Sequence, residues 1–426
     1  MADGTVADAK ERNQGNVFLR FGASVGLANL GDGIAVVAWA WTASLLTRDP
    51  LWIAMLPAAL RVPWVLFALP SGILADRMDR KRLIVFCDLV RTVAYLAVAL
   101  AIAASLPLPQ PSADGVDSIA LYRMLICAGF VIGCAEVARD NAAQSMLPSV
   151  VSQEELERAN GLLGSLETVG NNMAGPALGS FLIALFLPLP FLAIAIALLL
   201  AGLFTASIKR SSAPRPLKSQ SFHEELKEGF QFVFRHPTLR VLVLVTGFWN
   251  FFAEMAIIAL VLHLQENLGA GATTYGLILA VGATGGVVGG FLVTPLLRMA
   301  SPARLAQLLG FAAVPLFLAI AFATGPVTVG TAMFFFYLSG VVWNALSVSY
   351  RQRIIPDQIM GRVNSVYRLF AWGTMPLGLI ASGVLVRWAE AGAERGFALT
   401  VPFIVASIGI CMVATLSWRP LGKGFK

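Results

Sequence analysis

The chain has 426 residues, of which 57% are hydrophobic and 13% are charged, and its formal net charge is +7. Soluble domains are about 45–50% apolar and about 25% charged, so this composition excludes a water-soluble protein with a large charged surface. It also excludes a disordered chain, and four cysteines are too few for a disulfide scaffold. A polytopic membrane protein remains, because each spanning helix needs about 20 apolar residues.

Twelve apolar stretches follow one another along the chain, and each is long enough to cross a bilayer. They cover approximately residues 18–46, 51–74, 83–105, 119–138, 159–186, 189–207, 240–264, 274–297, 303–323, 327–349, 365–386 and 398–417. With the N-terminus inside, 25 of the 31 Lys and Arg residues fall on the cytoplasmic side and only Arg48, Arg387 and Arg395 fall outside. This positive-inside pattern predicts that both termini are cytoplasmic. It also accounts for the basic net charge without nucleic acid as a partner.

The longest polar interruption, residues 208–239, separates the first six predicted spans from the last six. We therefore expect an N-terminal half at residues 1–207, a cytoplasmic linker at 208–239 and a C-terminal half at 240–426. Two six-helix halves are the plan of many secondary transporters. Apolar residues in the linker recur near helical spacing at Phe222, Leu226, Phe230, Val233 and Phe234. They predict a short amphipathic helix on the cytoplasmic membrane surface.

A charged motif follows span 2 and contains Gly72, Asp76, Arg77, Arg80 and Lys81. It resembles the signature of the major facilitator superfamily, G-x-x-x-D-R-x-G-R-[RK], with Asp79 where that family has Gly. The resemblance implies an all-α membrane protein of twelve transmembrane helices in two six-helix halves. It also implies that this motif gates the cytoplasmic side, where Asp76 can pair with Arg80 or cap a neighbouring helix.

Span 5 contains Gly175, Pro176 and Gly179, in a segment that resembles the antiporter motif of the same superfamily, g-x-x-x-G-P-x-x-G-g. Asn171 and Ser180 replace the outer glycines of that motif. Proline removes a backbone hydrogen bond and glycine permits close helix packing, so the segment can also be a simple packing kink. Because the motif is associated with exporters, the resemblance implies efflux.

Shorter segments resemble one branch of the superfamily, bacterial exporters similar to the enterobactin exporter and to macrolide efflux proteins. They lie at residues 30–34, 61–64, 141–148, 235–237 and 361–363. The resemblance covers nearly the whole chain, although the second half has only a worn copy of the charged motif. It implies a multi-pass protein of the bacterial inner membrane.

Three ionisable residues are predicted near mid-membrane: Asp32 in span 1, Arg61 in span 2 and Glu254 in span 7. Such residues are costly in a bilayer and are functional candidates by default. Asp32 and Arg61 fall at similar depth, so we expect them to form an ion pair, which can also be purely structural. Glu254 has no basic residue nearby in its span, and burial favours the neutral form of such an acid. The three residues are our candidates for proton coupling.

Polar and aromatic residues near these acids are candidates for lining a substrate cavity: Asn29, Trp249, Asn250, Trp343 and Asn344. Asn29 precedes Asp32 by three residues and Asn250 precedes Glu254 by four, so each amide shares a helix face with its acid. The aromatic residues can equally face lipid or pack against other helices. A further set near the cytoplasmic ends of spans is expected to form a structural network with the Asp76 loop: Asp88, Arg91, Glu136, Asp140 and Glu167.

The sequence has no P-loop, no metal-ligand spacing and no catalytic triad, so we expect no enzyme activity, no cofactor and no metal. The predicted function is export of a small organic compound, such as a drug, siderophore or metabolite, by proton antiport with alternating access. The expected partners are this substrate, protons and membrane lipid, and the expected state is a monomer. The alternatives are uptake of a nutrient or a lysophospholipid, and a sensor or scaffold that has a transporter fold but does not transport.

Overall fold

The computed structural model describes residues 2–152, 155–209, 222–356 and 359–424, and these residues are almost entirely helical. The part before the linker contains α1 (Ala2–Leu46), α2 (Pro50–Arg77), α3 (Arg80–Ala104), α4 (Ile119–Val150), α5 (Leu156–Thr168), the π-helix π1 (Val169–Ala174), α6 (Gly175–Leu185) and α7 (Leu189–Ala206). The rest contains α8 (Phe222–Arg235), α9 (Pro237–Leu262), the π-helix π2 (His263–Asn267), α10 (Ala272–Met299), α11 (Pro302–Ala321), α12 (Pro326–Ile354), α13 (Met360–Gly373), α14 (Met375–Glu390), α15 (Arg395–Ala398) and α16 (Val401–Gly424).

Eleven helical segments in the described residues are long and apolar enough to cross a membrane. The remaining predicted span, the fifth, is divided into α5, π1 and α6. A bilayer core offers no hydrogen-bond partners, so each spanning segment must satisfy its backbone groups within its own helix. The all-α fold of twelve spans that the sequence predicts is confirmed.

Side chains and prolines at the helix starts explain several of the boundaries. Asp79 caps α3 by accepting a hydrogen bond from the Arg82 backbone N–H at 3.0 Å, and Ser301 caps α11 in the same way. A proline stands in the first turn of α9, α11 and α12, where its missing N–H needs no partner. Asp79, the departure from the superfamily signature, therefore serves as a helix cap.

The chain forms two compact units. Unit 1 comprises residues 1–39, 66–108 and 119–218, and unit 2 comprises residues 40–65, 109–118 and 219–426. The two compact units therefore do not coincide fully with the two halves of the sequence, because residues 40–65 pack with the C-terminal helices. Unit 2 consequently contains the end of α1 and the beginning of α2.

Aromatic and backbone contacts hold residues 40–65 within unit 2. Trp41 packs on Tyr275 of α10, with ring centroids 6.0 Å apart, and Trp64 packs on Trp372 of α13 at 5.2 Å. The start of α2 lies against α14 so closely that a Cβ on Gly383 would approach the Pro50 carbonyl oxygen to 2.8 Å. These contacts are made by aromatic rings and by the backbone.

The linker helix α8 packs on α13. Phe234 contacts Phe370 with ring centroids 5.3 Å apart, and Glu228 forms an ion pair with Arg362. A Cβ on Gly229 would lie 2.8 Å from the Arg362 carbonyl oxygen, so the two helices meet backbone to backbone. The aromatic face that predicts a membrane-surface helix is therefore partly used for packing on protein.

Candidate functional site

Asp32 on α1 forms an ion pair with Arg91 on α3. Arg91 Nη2 donates to Asp32 Oδ1, and Glu136 Oε2 on α4 lies 3.9 Å from the same nitrogen. Arg91 is fully buried, whereas the Asp32 and Glu136 side chains are 17% and 16% exposed. The predicted pair between Asp32 and Arg61 is therefore wrong. The two residues have similar depth in their spans, but α3 is the helix that presents a cation to Asp32.

A second arginine links the same three helices. Arg139 Nε on α4 donates to Asp88 Oδ1 on α3 at 2.9 Å, and both side chains are almost completely buried. Arg139 also lies 3.4 Å from Asp140 Oδ1 and donates to the Ser24 carbonyl oxygen on α1 at 3.2 Å. Each arginine is therefore shared by two carboxylates. We call Asp32, Asp88, Arg91, Glu136, Arg139 and Asp140 the carboxylate cluster.

Part of the carboxylate cluster was expected from the sequence as a mainly structural network with the Asp76 loop, at the cytoplasmic ends of the spans. The structure differs by including Asp32, the mid-membrane acid of α1, through Arg91. Arg91 lies about three turns from the start of α3, far enough along the helix to reach inward from its end. Asp32, which the sequence predicts as a coupling residue, thus belongs to the same set of contacts as the predicted structural network.

Next to Asp32, α1 and the fifth span touch backbone to backbone. A Cβ on Gly33 would overlap the Gly170 carbonyl oxygen, and a Cβ on Gly179 would lie 2.9 Å from a carbonyl oxygen of α1. Gly175 faces the Gly33 backbone in the same crossing. The antiporter-like motif therefore forms the contact surface for the part of α1 that carries the acid, and only glycine fits there.

The π-helix π1 stands directly before Pro176, at the start of α6. It positions Asn171, whose Nδ2 donates to Asn29 Oδ1 at 2.9 Å, while Asn29 Nδ2 donates to the Val25 carbonyl oxygen at 2.8 Å. Single π-turns inside helices occur frequently at functional sites. Asn29, a predicted cavity residue, is therefore tied to the fifth span. Asn171, which replaces a glycine of the motif, supplies its partner.

Glu254 lies half-buried on α9 in unit 2. It makes no hydrogen bond or close ion pair with any described residue, but the positive charge of Arg61 on α2 acts on its carboxylate. The prediction that Glu254 has no basic residue nearby concerned its own span, and Arg61 lies on a different helix. This charge comes from residues 40–65, a part of the chain that the position of Glu254 in span 7 does not indicate.

The remaining predicted cavity residues of unit 2 lie along α9 and α12. Trp249 stacks on Phe336 with ring centroids 5.0 Å apart, and together with Trp343 it lines a small cleft. Asn250 Nδ2 donates to the Ala371 carbonyl oxygen at 2.6 Å, and Asn344 is exposed. Trp249 and Trp343 share one cleft, while Asn250 is engaged by α13.

An ionic network joins the α1–α2 turn to two other turns of unit 2. Arg395 donates two hydrogen bonds to the Glu266 carboxylate, from Nε to Oε2 at 2.6 Å and from Nη2 to Oε1 at 3.0 Å. It also forms an ion pair with Glu390. Arg395 Nη2 donates to the Arg48 carbonyl oxygen at 2.7 Å, and the Arg48 guanidinium donates to Gln265. The π-helix π2 carries both Gln265 and Glu266. We call these five residues the turn network.

The sequence analysis did not single out the turn network, although a signal was present. Arg48, Arg387 and Arg395 are the three basic residues that the charge asymmetry places on the outer side. Arg48 and Arg395 belong to the turn network, and Arg387 lies 3.9 Å from buried Asp49 in the same turn. Each of the three basic residues that depart from the positive-inside pattern therefore has a specific partner.

In the predicted gate motif, the surroundings of Gly72 and the side chains of Asp76 and Arg77 lie outside the described part of the structure. Their backbone belongs to the end of α2. Arg80 is buried and Lys81 is half-buried at the start of α3. The gating role of this motif stays a prediction.

A family model described as transmembrane secretion effector matches residues 14–419. The chain therefore belongs to the transmembrane secretion effector family of the major facilitator superfamily. It is a multi-pass membrane transporter and not an enzyme.

Relatives of known name are similar over nearly their whole length. The multidrug efflux pump Tap of Mycolicibacterium fortuitum is 24% identical over 409 residues, which cover 89% of this chain and 91% of Tap. Tap of Mycobacterium tuberculosis H37Rv is 24% identical over 416 residues, which cover 94% of this chain and 93% of that protein.

Among solved structures, a bacterial homologue of the human lysosomal transporter Spinster, inward-facing and unoccupied, aligns with a TM-score of 0.73 at 16% identity, over 97% of this chain and 98% of that one. A bacterial homologue of the iron transporter ferroportin aligns with a TM-score of 0.69 at 17% identity, over 95% and 99%. At these identities the likeness shows the fold alone.

Proposed function

We propose that this protein exports a small organic compound across the bacterial inner membrane in exchange for protons, by alternating access. Membership of a transporter family and similarity to proteins named multidrug efflux pumps support export. Both termini and the linker lie in the cytoplasm in this proposal, as the positive-inside pattern predicts. The protein acts as a monomer.

The observation that carries the proton-coupled part is the sharing of fully buried Arg91 between Asp32 and Glu136. An arginine stays charged in proteins, so its charge does not change during transport. One guanidinium compensates two nearby carboxylates incompletely, and a proton on either one relieves their repulsion. Asp32 and Glu136 therefore exchange one proton as a pair, and both retain some access to solvent.

The backbone contact at Gly33 connects this proton to the shape of the helices. A proton on Asp32 weakens its bond to Arg91, and Gly33, the next residue, is in contact with the fifth span. If α1 shifts, its backbone therefore pushes on π1 and α6, which carry the antiporter-like motif. The two protonation states of Asp32 would thus favour different arrangements of these helices.

Glu254 and Arg61 form a second candidate coupling site in unit 2. When Glu254 is ionised, Arg61 attracts it and holds residues 40–65 to α9; a proton on Glu254 removes that attraction. The cleft between Trp249 and Trp343 in unit 2 suits an aromatic or amphipathic cargo, with Asn250 and Asn344 as polar candidates on the same two helices. Asn29 is a separate polar candidate in unit 1. The motif of Gly72, Asp76, Arg77, Arg80 and Lys81 closes the cytoplasmic side in this proposal, and the turn network closes the outer side.

The test uses everted membrane vesicles that are acidified inside, with a pH-sensitive dye as the reporter. Addition of candidate compounds, drugs and siderophores first, should release protons from wild-type vesicles. Asp32→Asn should lower this release at least about ten-fold, which corresponds to about 1.4 kcal/mol of lost coupling. Asp114→Asn, which changes an exposed acid in a loop, should behave as wild type.

Three results would contradict the proposal. Proton release by Asp32→Asn and by Glu254→Gln at the wild-type rate would exclude both as coupling residues. Substrate accumulation inside right-side-out vesicles would show uptake of a nutrient or lysophospholipid. A protein that moves no compound in either orientation would match a sensor or scaffold.

A further inference from the structure

Unit 2 contains a cavity of about 240 Å³ where the ends of α10 and α12 and the start of α11 meet. Its wall is mainly apolar and includes Val293, Leu297, Leu346 and Ile354. Arg353 and Tyr350, both on α12, also line it. The cavity belongs to none of the sites described above.

The cavity exists because α10 and α12 are held together on one side of it. A Cβ on Gly289 would lie 2.7 Å from the Leu338 carbonyl oxygen, and a Cβ on Gly285 would overlap the Phe334 carbonyl oxygen. One turn after Gly289, Val293 follows and the space between the helices opens. Because the backbones already touch at the two glycines, the helices cannot approach further at this end of the cavity.

Arg353 is the cation at this cavity. Its side chain is exposed and makes no hydrogen bond or ion pair with any described residue. Arg351, two positions before it, is engaged: its Nη1 donates to Asn364 at 3.0 Å and its guanidinium lies 3.9 Å from the Tyr367 ring. The two arginines therefore differ in that only Arg353 is available to an anion.

The surroundings of the cavity are those of a lipid-facing surface. Leu297 is 39% exposed and Met299 is 82% exposed at the end of α10, in a segment that crosses the membrane. Large apolar side chains with this exposure face hydrocarbon in a membrane protein. An occupant therefore enters from the bilayer, and it must combine an anionic group with an apolar chain.

We propose that this cavity binds an anionic phospholipid, with the phosphate on Arg353 and the first carbons of one acyl chain between α10 and α12. A cavity of 240 Å³ holds about eight groups the size of a water molecule, so the rest of the chain stays in the bilayer. Basic pockets between transmembrane helices are known to hold lipid headgroups. The lipid fills a gap that the protein cannot close itself.

The experiment uses the full-length protein in liposomes that contain phosphatidylglycerol with a diazirine on its acyl chain. After illumination, mass spectrometry should find the label on residues 293–297 and 345–354. Arg353→Ala should lower this labelling about five-fold, because a basic residue near the membrane surface contributes about 1 kcal/mol of attraction to an anionic lipid. Arg353→Lys should retain most of it. Arg304→Ala, an exposed arginine that does not line the cavity, is the matched control and should label as wild type.

A second variant tests the cavity separately from the charge. Ala345→Trp places a large side chain at the lining and should reduce labelling while Arg353 is kept. Gel filtration and thermal unfolding check that each variant is folded. Equal labelling by the phosphatidylcholine analogue, or unchanged labelling in folded Arg353→Ala, would overturn the proposal. Loss of labelling when inorganic phosphate is present during illumination would also overturn the proposal, because the site would then bind a soluble anion.

Discussion

Arg91 has no exposed side-chain surface, so its guanidinium depends on Asp32 and Glu136 for compensation of its charge. Removing one partner of a buried ion pair costs about 3–5 kcal/mol, because the other charge is left buried. Arg139 is in the same position with Asp88. The carboxylate cluster is therefore both a functional candidate and a determinant of stability in unit 1.

The pairing of Asp32 can be measured with double-mutant cycles. Arg91→Met should lower the free energy of unfolding by about 3 kcal/mol, and adding Asp32→Asn should cost less than the sum of the single changes. The expected coupling energy is about 1–3 kcal/mol, measured from denaturation of the purified protein. The matched cycle of Asp32→Asn with Arg61→Met should show additive effects. Coupling of Asp32 to Arg61 instead of Arg91 would contradict the contacts described for α1 and α3.

At the scale of elements, the crossing of α1 with the fifth span depends on the absence of side chains. Gly33 and Gly170 meet through their backbones, and π1 adjusts the fifth span at this point. An inserted side chain has to push two helices apart, because neither contacting atom belongs to a flexible side chain. Overpacking of this kind usually costs about 1–3 kcal/mol.

Gly33→Val should therefore destabilise the protein by about 2 kcal/mol and abolish proton-coupled transport. Gly164→Ala is the matched control, since Gly164 lies in α5 and an added Cβ would meet nothing within 4 Å. This change should leave transport intact and stabilise the helix by up to about 1 kcal/mol. Thermal unfolding and the vesicle assay give both readouts. Normal transport by Gly33→Val would separate the crossing from the coupling mechanism.

The elements themselves were largely predictable, and their irregularities were not. Apolar length identifies twelve spans because the bilayer thickness imposes one length on all of them. No apolar periodicity marks the π-helices π1 and π2 in the sequence. Yet π1 positions Asn171 and π2 positions Glu266, so two of the functional contacts depend on features that periodicity does not reveal.

For the whole molecule, the turn network gives the proposed cycle a testable outer gate. Residues 40–65 belong to unit 2, and Arg395 connects their turn to Glu266 and Glu390. A single exposed ion pair contributes little, but a two-point arginine contact within a network contributes more. Loss of Arg395 should therefore favour states in which residues 40–65 separate from the other helices of unit 2.

A cysteine at Ala54, which is fully buried on α2, reports this separation. In a background without the four native cysteines, Arg395→Gln should raise labelling of Ala54→Cys by an impermeant maleimide about ten-fold. Arg387→Gln should raise it less, because that side chain is 52% exposed and lies 3.9 Å from Asp49. Equal labelling in all three proteins would show that the turn network does not hold the segment.

The sequence by itself determined the membrane class, the twelve spans, the transporter family and the residues that are costly in a bilayer, Asp32, Arg61 and Glu254 among them. The family follows from the resemblance of its motifs, and the others follow from composition, length and charge, which act residue by residue. Only the tertiary structure decided the partners: Arg91 for Asp32, and Arg395 for the α1–α2 turn. Depth in a span follows from counting residues, but a partner also depends on which helices are adjacent and how each is rotated. That information arises from packing between segments far apart in the chain.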